Sequence, residues 1–329
     1  MRLQNVNLID NYLPRAKLDI SQPAIENRTM SLNLTLLGTG TPTPLTQRAG
    51  SSYLVTLDDE MLLFDCGPGC VRRLIKKGIS PTRITSLFLT HLHYDHCVDY
   101  SYLVLNRWDQ GAGQIPELDV IGPENTQQIT NALFNKGGAF DPDLTARTQH
   151  PTSHFIYEQR GGELPRVRPS PVVTEVASGT LLERDNWSLE VAEVIHVQPY
   201  LTCLAYRLNI SSHSIVFGGD TAPIESLTKL AENADVLLHM CHFFNGVNTD
   251  TRLTDFCSGH LDAASTAQEA GVKILVLVHI SEQLDQPGTR ERVLYEAGKL
   301  FNGTIIFGED LLDIPINPIQ PSPSIEKNV

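Results

Sequence analysis

The sequence predicts an α/β fold in which two strand-rich halves lie in the middle and the helices lie outside them. The first observation is that strand patterns recur in both halves of the chain, with helical patterns between them. The second is that several apolar strands end directly on a histidine or aspartate: residues 87–90 run into His91, and residues 274–278 stop at His279. Because α/β folds build their sites at strand ends, these residues are expected to share one functional site.

The first half of the chain begins with strands joined by tight turns. Residues 31–37 alternate polar and apolar side chains, which is typical of a half-buried strand. Two further strands are joined by the acidic turn 58–60 and form a hairpin. The elements predicted in this half are strands at 31–37, 51–57, 61–64, 87–90 and 117–121, and helices at 71–77, 98–108 and 124–136.

The second half repeats this arrangement. The elements predicted there are strands at 172–177, 180–183, 188–195, 204–208, 214–217, 236–239, 274–278 and 304–307, and helices at 224–233, 263–270 and 290–301. Both halves are expected to form a single domain over 31–315. A polar arm over 1–30 is expected to precede this domain, and a proline-rich disordered tail over 316–329 to follow it.

Residues 139–172 are the least regular part of the predicted fold. They combine several prolines with arginines and histidines. A loop of this length in a compact domain is usually functional or disordered. Two interpretations stay open, namely a lid that gathers positive charge over an anionic substrate and an ordinary solvated loop.

The composition narrows the class of protein. The 329 residues are 41% hydrophobic, which allows a sizeable core. The formal net charge of −13 gives no general electrostatic footprint for nucleic acid, although a local basic patch stays open. The six cysteines lack paired CxxC spacing, which favours free thiols in a reducing compartment. Without a signal-peptide pattern or a run of 18 apolar residues, a soluble cytoplasmic protein is expected.

The central motif lies in the segment 86–97, where a short apolar strand runs into His91, His93, Asp95 and His96. In an extended segment the first three of these can face the same way, while His96 fits a turn into the next helix. Imidazoles and a carboxylate this close together are suitable ligands for zinc. The pattern His91-x-His93-x-Asp95-His96 resembles the HxHxDH signature of the metallo-β-lactamase superfamily.

The resemblance can be followed from Leu34 to Ile314, and it implies the αββα sandwich of that superfamily. Three later residues fall where the superfamily keeps its remaining metal ligands, and these are His196, Asp220 and His279. The local sequences around Asp220 and His279 also resemble the superfamily's motifs. The implied metal ligands are His91, His93 and His196 for one ion, Asp95, His96 and His279 for the second, and Asp220 as a bridge between them. Two zinc ions are expected roughly 3.5–4 Å apart, and manganese or iron would also fit.

Two residues are expected to act in catalysis. Asp95 is the natural group to orient the attacking water or accept its proton, because it is both a ligand and a carboxylate. His260 lies in a string that resembles the ribonuclease Z branch, where the corresponding histidine contacts the scissile phosphate. At a helix N-terminus His260 would be well placed to meet an anion. Alternatively, Asp262 caps this helix and His260 is a bystander.

Asp65, which follows the strand at 61–64, also has two interpretations. The resemblance implies that it orients a ligand histidine from outside the metal centre. Alternatively, it is a turn residue that caps the next helix.

Two departures from ribonuclease Z argue against tRNA as the substrate. The bacterial enzyme has a long arm between the third ligand motif and the bridging aspartate, whereas here His196 and Asp220 are only 24 positions apart (220 − 196). Met240 follows His239 where relatives often have a glutamate, which would leave His260 without a carboxylate partner. Together with the negative net charge, these departures predict a small anionic substrate and argue against nucleic acid or membrane as a partner.

The sequence therefore predicts a dinuclear zinc hydrolase of the ribonuclease Z and zinc arylsulfatase-like branch. Its expected reaction is the hydrolysis of a small phosphodiester or aryl sulfate by metal-bound hydroxide. The alternatives are a tRNA 3′-processing endoribonuclease, a lactonase or β-lactamase-like acyl hydrolase, an iron-dependent oxygenase or redox protein, and a metal-binding module without catalysis. The resemblance and the N-terminal arm also predict a homodimer.

Overall fold

The computed structural model describes residues 32–247 and 250–316. The predicted arm over 1–30, and all but the first residue of the predicted tail over 316–329, lie outside the described residues. The arm, the tail and the division into domains therefore stay predictions.

Fourteen strands are present in the described part of the chain, and most lie where the sequence predicts them. Numbered along the chain, they are β1 (Leu32–Gly38), β2 (Ser52–Leu57), β3 (Glu60–Phe64), β4 (Ser86–Phe88), β5 (Asp119–Gly122), β6 (Val172–Glu175), β7 (Leu181–Glu183), β8 (Ser188–Glu193), β9 (Leu204–Ile210), β10 (His213–Phe217), β11 (Val236–Met240), β12 (Ile274–Val278), β13 (Thr304–Phe307) and β14 (Asp313–Ile314).

The helices lie between groups of these strands along the chain. They are α1 (Cys70–Lys76), α2 (Tyr94–Cys97), α3 (Tyr100–Gly111), α4 (Thr126–Phe134), α5 (Asp141–Gln149), α6 (Pro151–Gln159), α7 (Glu225–Leu230), α8 (Thr251–Thr254), α9 (His260–Ala270) and α10 (Thr289–Ala297), with a 3₁₀ turn at Pro81–Arg83. Among the described residues, no helix is both long and apolar enough to cross a membrane.

The strands form two seven-stranded sheets, in the orders β14-β1-β2-β3-β4-β5-β6 and β13-β12-β11-β10-β9-β8-β7. The first sheet takes β1 to β6 and the second sheet β7 to β13, while the short strand β14 returns to the first sheet. The strand predicted at 172–177, which the sequence analysis placed in the second half, is β6 and belongs to the first sheet. One apolar cluster contains buried residues from both sheets, including Phe64, Phe88 and Phe217. The rings of Phe64 and Phe217 stack with their centroids 3.7 Å apart, and this contact joins the two sheets.

Two further apolar clusters lie on the outer faces of the sheets. One combines strands of the first sheet with α1, α3 and α4, and the other combines strands of the second sheet with α7, α9 and α10. The layers therefore run helix, sheet, sheet, helix. The predicted α/β fold class, an αββα sandwich, is confirmed.

The parallel parts of the two sheets position the functional residues. In the first sheet β3 and β4 are parallel neighbours, and Asp65 and His91 follow their carboxyl ends. In the second sheet β10, β11 and β12 are parallel neighbours, and Asp220, His242 and His279 follow theirs. Because parallel strands end at the same edge of a sheet, residues far apart in sequence become spatial neighbours.

The segment 139–172 is more regular than the sequence suggests, since it contains α5 and α6. Much of its positive charge is held by one carboxylate at the end of α3. Asp109 accepts hydrogen bonds from Arg147, Arg160 and Arg166, at 3.0, 2.6 and 2.9 Å. These arginines tie the segment to α3, which is a structural role and differs from the lid that gathers charge over a substrate.

Replacing Asp109 with alanine is expected to lower the free energy of unfolding by about 2–3 kcal/mol, somewhat below the ~3–5 kcal/mol for a fully buried pair, because Arg147 and Arg160 stay partly hydrated. Arg166 would lose its carboxylate while its side chain is only 2% exposed. Denaturant unfolding measures the effect. Asp143→Ala is the matched control, since Asp143 pairs with Arg147 at the surface. This substitution should lower the free energy of unfolding by less than about 1 kcal/mol.

The same substitution gives a pH signature. Burial alone would raise the pKa of Asp109, but Arg166 and Arg160 lower it below the usual value. A carboxyl with a depressed folded-state pKa contributes stability above its unfolded-state pKa of about 4, and that contribution is lost as the pH falls further. The difference between wild type and Asp109→Ala should therefore shrink below about pH 4. A difference that is constant from pH 7 to pH 3 would contradict the ion-pair explanation.

Candidate metal centre

Four of the predicted ligands lie in the loop and short helix that follow β4. The buried strand leads into His91, whose side chain is fully buried, and His93 immediately precedes α2. Asp95 and His96 lie in the single turn of α2, and both are about 1% exposed. The structure therefore brings the HxHxDH motif together at one strand end, as the pattern predicts.

The loop after β3 holds this short helix in place. Cys66 N donates a hydrogen bond to His96 O at 2.7 Å. At Gly67 a Cβ atom would lie 2.0 Å from Asp95 O, so only glycine allows the two backbones to approach this closely. The loop after β3 therefore fixes the position of α2, and with it the position of the ligand candidates Asp95 and His96.

The other three predicted ligands follow strands of the second sheet. His196 lies three residues after β8, Asp220 three residues after β10, and His279 directly after β12. All three side chains are buried, with at most 8% exposed. They converge on the same place as the motif after β4.

The seven side chains form two groups in which the potential ligand atoms all lie within 4.8 Å of one another. The first group contains His91, His93, His196 and Asp220, and the second contains Asp95, His96 and His279. Each group contains the three residues that the resemblance implies for one ion, and Asp220, the implied bridge, falls with the first group. The ligand roles of the individual residues stay predictions.

Asp220 lies between the two groups. One of its carboxylate oxygens is 3.4 Å from His96 Nε2, and the other is 3.1 Å from His279 Nε2 and 3.7 Å from His196 Nε2. A carboxylate with two oxygens can bind two ions at once. The position of Asp220 therefore fits the bridging role.

Partners outside the two groups orient the imidazoles. Asp65 Oδ2 lies 2.7 Å from His96 Nδ1, and Phe256 O lies 2.8 Å from His196 Nδ1. Both partners accept a hydrogen bond from Nδ1–H, so the proton stays on Nδ1 and the Nε2 lone pair is left for a metal. Accordingly, His96 Nε2 is buried and has no hydrogen-bond partner in the described part of the chain. An orphaned lone pair of this kind fits a metal ion.

Backbone strain marks two of the residues around the centre. Asp65 and His279 have φ angles of 57° and 53°, in the left-handed region that L-residues rarely adopt. Each directly follows a parallel strand. Strain of this kind persists where the surrounding structure imposes it, often at functional sites. Here it turns the two side chains out of the strand direction at the edge where the ligand groups lie.

The titration behaviour of the centre fits a cation site. Burial, and then the charge of His96, lower the pKa of His91 well below its usual value. Burial alone would raise the pKa of Asp220, but His279 and His96 hold it well below its usual value. Burial also opposes charge on His96, yet Asp220 and Asp65 raise its pKa well above its usual value. Burial raises the pKa of Asp65, whereas the low pKa of Asp220 keeps a negative charge between the histidines. A negative charge at this position attracts positive charge, as a site for a divalent ion requires.

His260 lies outside both ligand groups, at the first residue of α9. Its Nδ1 accepts a hydrogen bond from Asn245 N at 3.2 Å, and its Nε2 is 3.2 Å from Glu296 Oε2. The side chain is fully buried against Phe244. Glu296, on α10, is thus the carboxylate partner that the sequence analysis did not find for His260. Contact of His260 with a substrate stays a prediction.

His242 is a neighbour of the centre that the sequence analysis did not single out. It follows β11, and its ring centroid lies 5.4 Å from that of His279. Burial, and then His279, lower the pKa of His242 to about 4. The signal was present in the sequence, because His242 follows a buried strand in the same way as His279 does.

A groove of about 600 Å³ lies beside the metal centre. Tyr94, between the ligand candidates His93 and Asp95, lines the groove together with α1. Of the described residues that line it, four are basic and none is acidic; the basic residues are Arg48, Arg72, Arg73 and Lys76. On a chain with a net charge of −13, this groove is a local basic patch.

Only part of this charge faces solvent. Arg48 is paired with Asp285 and Arg73 with Asp310, at 2.5 and 2.8 Å. Arg72 and Lys76 are exposed and lie four residues apart, on one face of α1. These two side chains can therefore meet an anionic ligand in the groove.

Two paired groups of histidines and aspartates at one edge of an αββα sandwich define a class of protein, the metal-dependent hydrolases that use divalent ions. The family model described as the metallo-beta-lactamase superfamily matches residues 45–279. The chain belongs to this superfamily.

Curated relatives point to one branch of the superfamily. Ribonuclease Z of Mycolicibacterium gilvum (strain PYR-GCK) is 33% identical over 294 residues, which cover 87% of this chain and 97% of that protein. Ribonuclease Z of Mycobacterium bovis (strain BCG / Pasteur 1173P2) is 32% identical over 294 residues, with 87% and 99% covered. The resemblance to the ribonuclease Z branch is therefore confirmed.

Solved structures share the fold. The metallo-beta-lactamase fold protein YhfI from Bacillus subtilis superposes with a TM-score of 0.67 at 20% identity, covering 86% of this chain and 98% of that one. The short form of human tRNase Z superposes with a TM-score of 0.62 at 21% identity, covering 87% and 99%.

These relatives overturn two predictions. The main predicted function, hydrolysis of a small phosphodiester or aryl sulfate, is wrong, and the alternative of a ribonuclease Z-type enzyme fits better. The prediction against nucleic acid as a partner is wrong for the same reason. Net charge is a property of the whole chain, whereas RNA binding needs only a local basic surface. The short spacing from His196 to Asp220 also did not discriminate, because ribonuclease Z relatives match over nearly their whole length.

Proposed function

We propose that the chain is a metal-dependent endoribonuclease that cleaves the 3′ extension from tRNA precursors. The observation that carries the proposal is the similarity to ribonuclease Z, 33% identical over 97% of the relative's length. The convergence of both ligand groups on one edge of the sandwich supports it, because the hydrolysis of an RNA phosphodiester suits a two-metal site.

The proposed ligands are those that the sequence predicts. His91, His93 and His196 would hold one ion, Asp95, His96 and His279 would hold the second, and Asp220 would be a ligand to both. Zinc suits this donor set of imidazoles and carboxylates. Two divalent ions bound there would lower the pKa of a coordinated water and offset negative charge on the phosphate.

The chain's own residues have defined tasks in this proposal. Asp95 orients the attacking water, and its position in the second group supports this role. Burial alone would raise the pKa of Asp95, but a hydrogen bond from His279 lowers it, so the carboxylate is ionised at neutral pH. Asp65 and the carbonyl of Phe256 hold His96 and His196 in the ligand orientation.

The basic groove is the proposed path of the RNA backbone. A chain with a negative net charge repels RNA in general, so binding needs a surface where positive charge outweighs it locally. Arg72 and Lys76 provide such a surface within reach of the metal centre, since Tyr94 lines the same groove. Tyr94 is 58% exposed, so its ring can also stack on an unpaired base.

Incubation of the zinc-loaded full chain with a tRNA precursor that carries a 3′ extension tests the function. We expect cleavage at one position near the 3′ end of the mature tRNA, loss of cleavage on chelation, and recovery when zinc is added back. Elemental analysis of the native preparation identifies the metal. An active preparation that hydrolyses aryl phosphodiesters but leaves the precursor intact would contradict the proposal.

Reversing charge in the groove should weaken RNA binding without disturbing the metals. For the double variant Arg72→Glu, Lys76→Glu we expect about a tenfold or greater rise in Kd for the precursor and a salt slope that falls by about two, since each cation contributes about one released counterion. Hydrolysis of bis(4-nitrophenyl) phosphate should stay within about twofold, because surface charges act weakly on a small diester.

The matched control is Lys136→Glu, Lys299→Glu, which changes the net charge by the same amount at exposed positions outside the groove. Fluorescence anisotropy at several salt concentrations measures both variants. If both double variants lose the same RNA affinity, the groove has no specific role in binding, and only the net charge of the chain affects the affinity.

A further inference from the structure

A small cavity lies between the two sheets, directly at the candidate metal centre. Its volume is about 10 Å³, which is close to the space that one buried water molecule needs. Apolar side chains of the second sheet form part of its wall. The polar part of the wall consists of Tyr53, Asp65, His96, Asp220 and His279. A water molecule in a buried site also needs two to four polar partners, and this wall can provide them.

His279 is a ligand candidate whose second ring nitrogen lacks a partner. Its Nε2 faces the centre, 3.1 Å from Asp220 Oδ2 and 3.3 Å from Asp95 Oδ2. Its Nδ1 is buried and has no hydrogen-bond partner among the described residues, whereas Nδ1 of His96 and of His196 each have one. Ligand histidines almost always donate this second N–H to a carboxylate, a carbonyl or a water molecule. Because His279 lines the cavity, the missing partner can be bound there.

The hydroxyl of Tyr53 is the neutral polar group in the cavity wall. Its side chain is buried, and its ring packs beside that of Phe217, with the centroids 6.2 Å apart. Burial raises the pKa of the phenol well above its usual value, and the hydroxyl of Ser51 offsets this only in part. The charges of Asp65 and Asp220 raise the pKa further, so the polar end of the ring lies on the side of the metal centre. The phenol therefore keeps its proton at neutral pH and can donate a hydrogen bond.

We propose that Tyr53 is a positioning residue for His279 and acts through one water molecule bound in this cavity. The inference rests on the proposed function, since it concerns a ligand of the proposed metal centre. The oxygen of the water accepts two hydrogen bonds, from His279 Nδ1–H and from the Tyr53 hydroxyl. The proton thus stays on Nδ1, and the Nε2 lone pair of His279 is directed at the ion.

The water's own hydrogens also have an acceptor in the wall. Both oxygens of Asp65 are already engaged by Thr90 and His96. Asp220, whose pKa stays low although burial opposes this, because His279 and His96 lower it, offers an ionised carboxylate. A hydrogen bond from the water to Asp220 therefore links the bridging ligand candidate to His279 and Tyr53.

The test compares Tyr53→Phe with the wild-type full chain. The substitution keeps the ring and its packing but removes the hydroxyl. We expect the zinc affinity to fall about tenfold, at the lower end of the range for groups that orient a ligand, and titration against a competing chelator measures it. In the zinc-loaded chain the Nδ1–H proton of His279 should resonate further upfield and exchange faster with solvent than in the wild type. A crystal structure of the zinc-loaded wild type should show one water within hydrogen-bond distance of both the Tyr53 hydroxyl and His279 Nδ1.

Tyr100→Phe is the matched control. Tyr100 is also buried, but its hydroxyl bonds to Thr130 Oγ1 at 2.9 Å and does not line the cavity. This variant should lose stability while its zinc affinity and its His279 Nδ1–H signal stay at the wild-type level.

Two results would overturn the inference. One is wild-type zinc affinity and an unchanged His279 Nδ1–H signal in Tyr53→Phe, and the other is a zinc-loaded wild-type structure in which no water contacts both groups. The structure decides the question even if Tyr53→Phe does not fold. Failure of the proposed function looks different: the wild-type chain would bind zinc but leave the tRNA precursor intact, and the water and the affinity of Tyr53→Phe would still decide the role of Tyr53.

Discussion

Replacing Asp220 with alanine is expected to lower kcat/KM on a tRNA precursor by at least about 1000-fold, because a bridging ligand supports charge stabilisation worth several kcal/mol. The carboxylate contacts His96, His196 and His279 through both of its oxygens. In the proposed centre its removal would take a ligand from each ion, and it would leave the histidines of both groups without a shared negative partner. We therefore expect the variant to hold less than two equivalents of metal.

Elemental analysis after gel filtration measures the metal content, and single-turnover cleavage measures the activity. Asp119→Ala is the matched control, because Asp119 is a half-buried aspartate at the start of β5 whose partner is Arg184, 3.6 Å away. It should retain both metals and wild-type activity. Should Asp220→Ala keep two equivalents of metal and cleave normally, the dinuclear centre would have to lie elsewhere.

Much of the fold and centre could be predicted because both depend on local patterns. Alternation and apolar runs identify strands, and a histidine or aspartate at the end of a buried strand is visible in the sequence. His91 and His279 were found in this way. The sequence could not by itself join them, because 188 positions separate the two residues (279 − 91). The resemblance to a superfamily supplied that connection, and the sandwich brings the corresponding strand ends together.

The missed features depend on contacts between distant segments. Glu296 reaches His260 from another helix, 36 positions further along the chain, so the absence of a glutamate after His239 was no evidence that His260 lacks a partner. Asp109 pairs with arginines that lie 38 to 57 positions further along the chain. The prolines of the segment 139–172 favoured a loop there, although the segment contains two helices. The negative net charge also gave no indication of the basic groove, because a sum over the whole chain does not say where the charges lie.

The hydrogen-bond partners of Asp65 predict a second substitution with a large effect, in this case on metal affinity. Its Oδ1 accepts a hydrogen bond from Thr90 N at 2.8 Å, and its Oδ2 lies 2.7 Å from His96 Nδ1. Thr90 Oγ1 lies within 3.1 Å of both oxygens. The side chain is fully buried, so no water can replace these partners. Both oxygens must therefore act as acceptors, and a carboxylate is the group that meets this demand.

Asp65→Asn is expected to weaken metal binding in the second group by about 100-fold, at the upper end of the range for residues that orient a ligand. An asparagine has one acceptor oxygen. If that oxygen faces His96, the amide NH₂ points at Thr90 N–H, which is also a donor. If the oxygen faces Thr90, the NH₂ points at His96 Nδ1, and the proton on the ring must move to Nε2. That proton would occupy the Nε2 lone pair that the proposed ligand role of His96 requires.

Zinc titration with a competing chelator measures the affinity, and the ¹⁵N chemical shifts of the imidazole report which nitrogen of His96 carries the proton. Asp99→Asn is the matched control. Asp99 also accepts two backbone hydrogen bonds, from Gly69 N and Val71 N, and among the described residues no hydrogen bond or ion pair joins its carboxylate to a ligand candidate. We expect it to lower stability while the zinc affinity stays at the wild-type level. Wild-type affinity in Asp65→Asn, with the proton still on Nδ1, would show that the orientation of His96 is set by its packing rather than by Asp65.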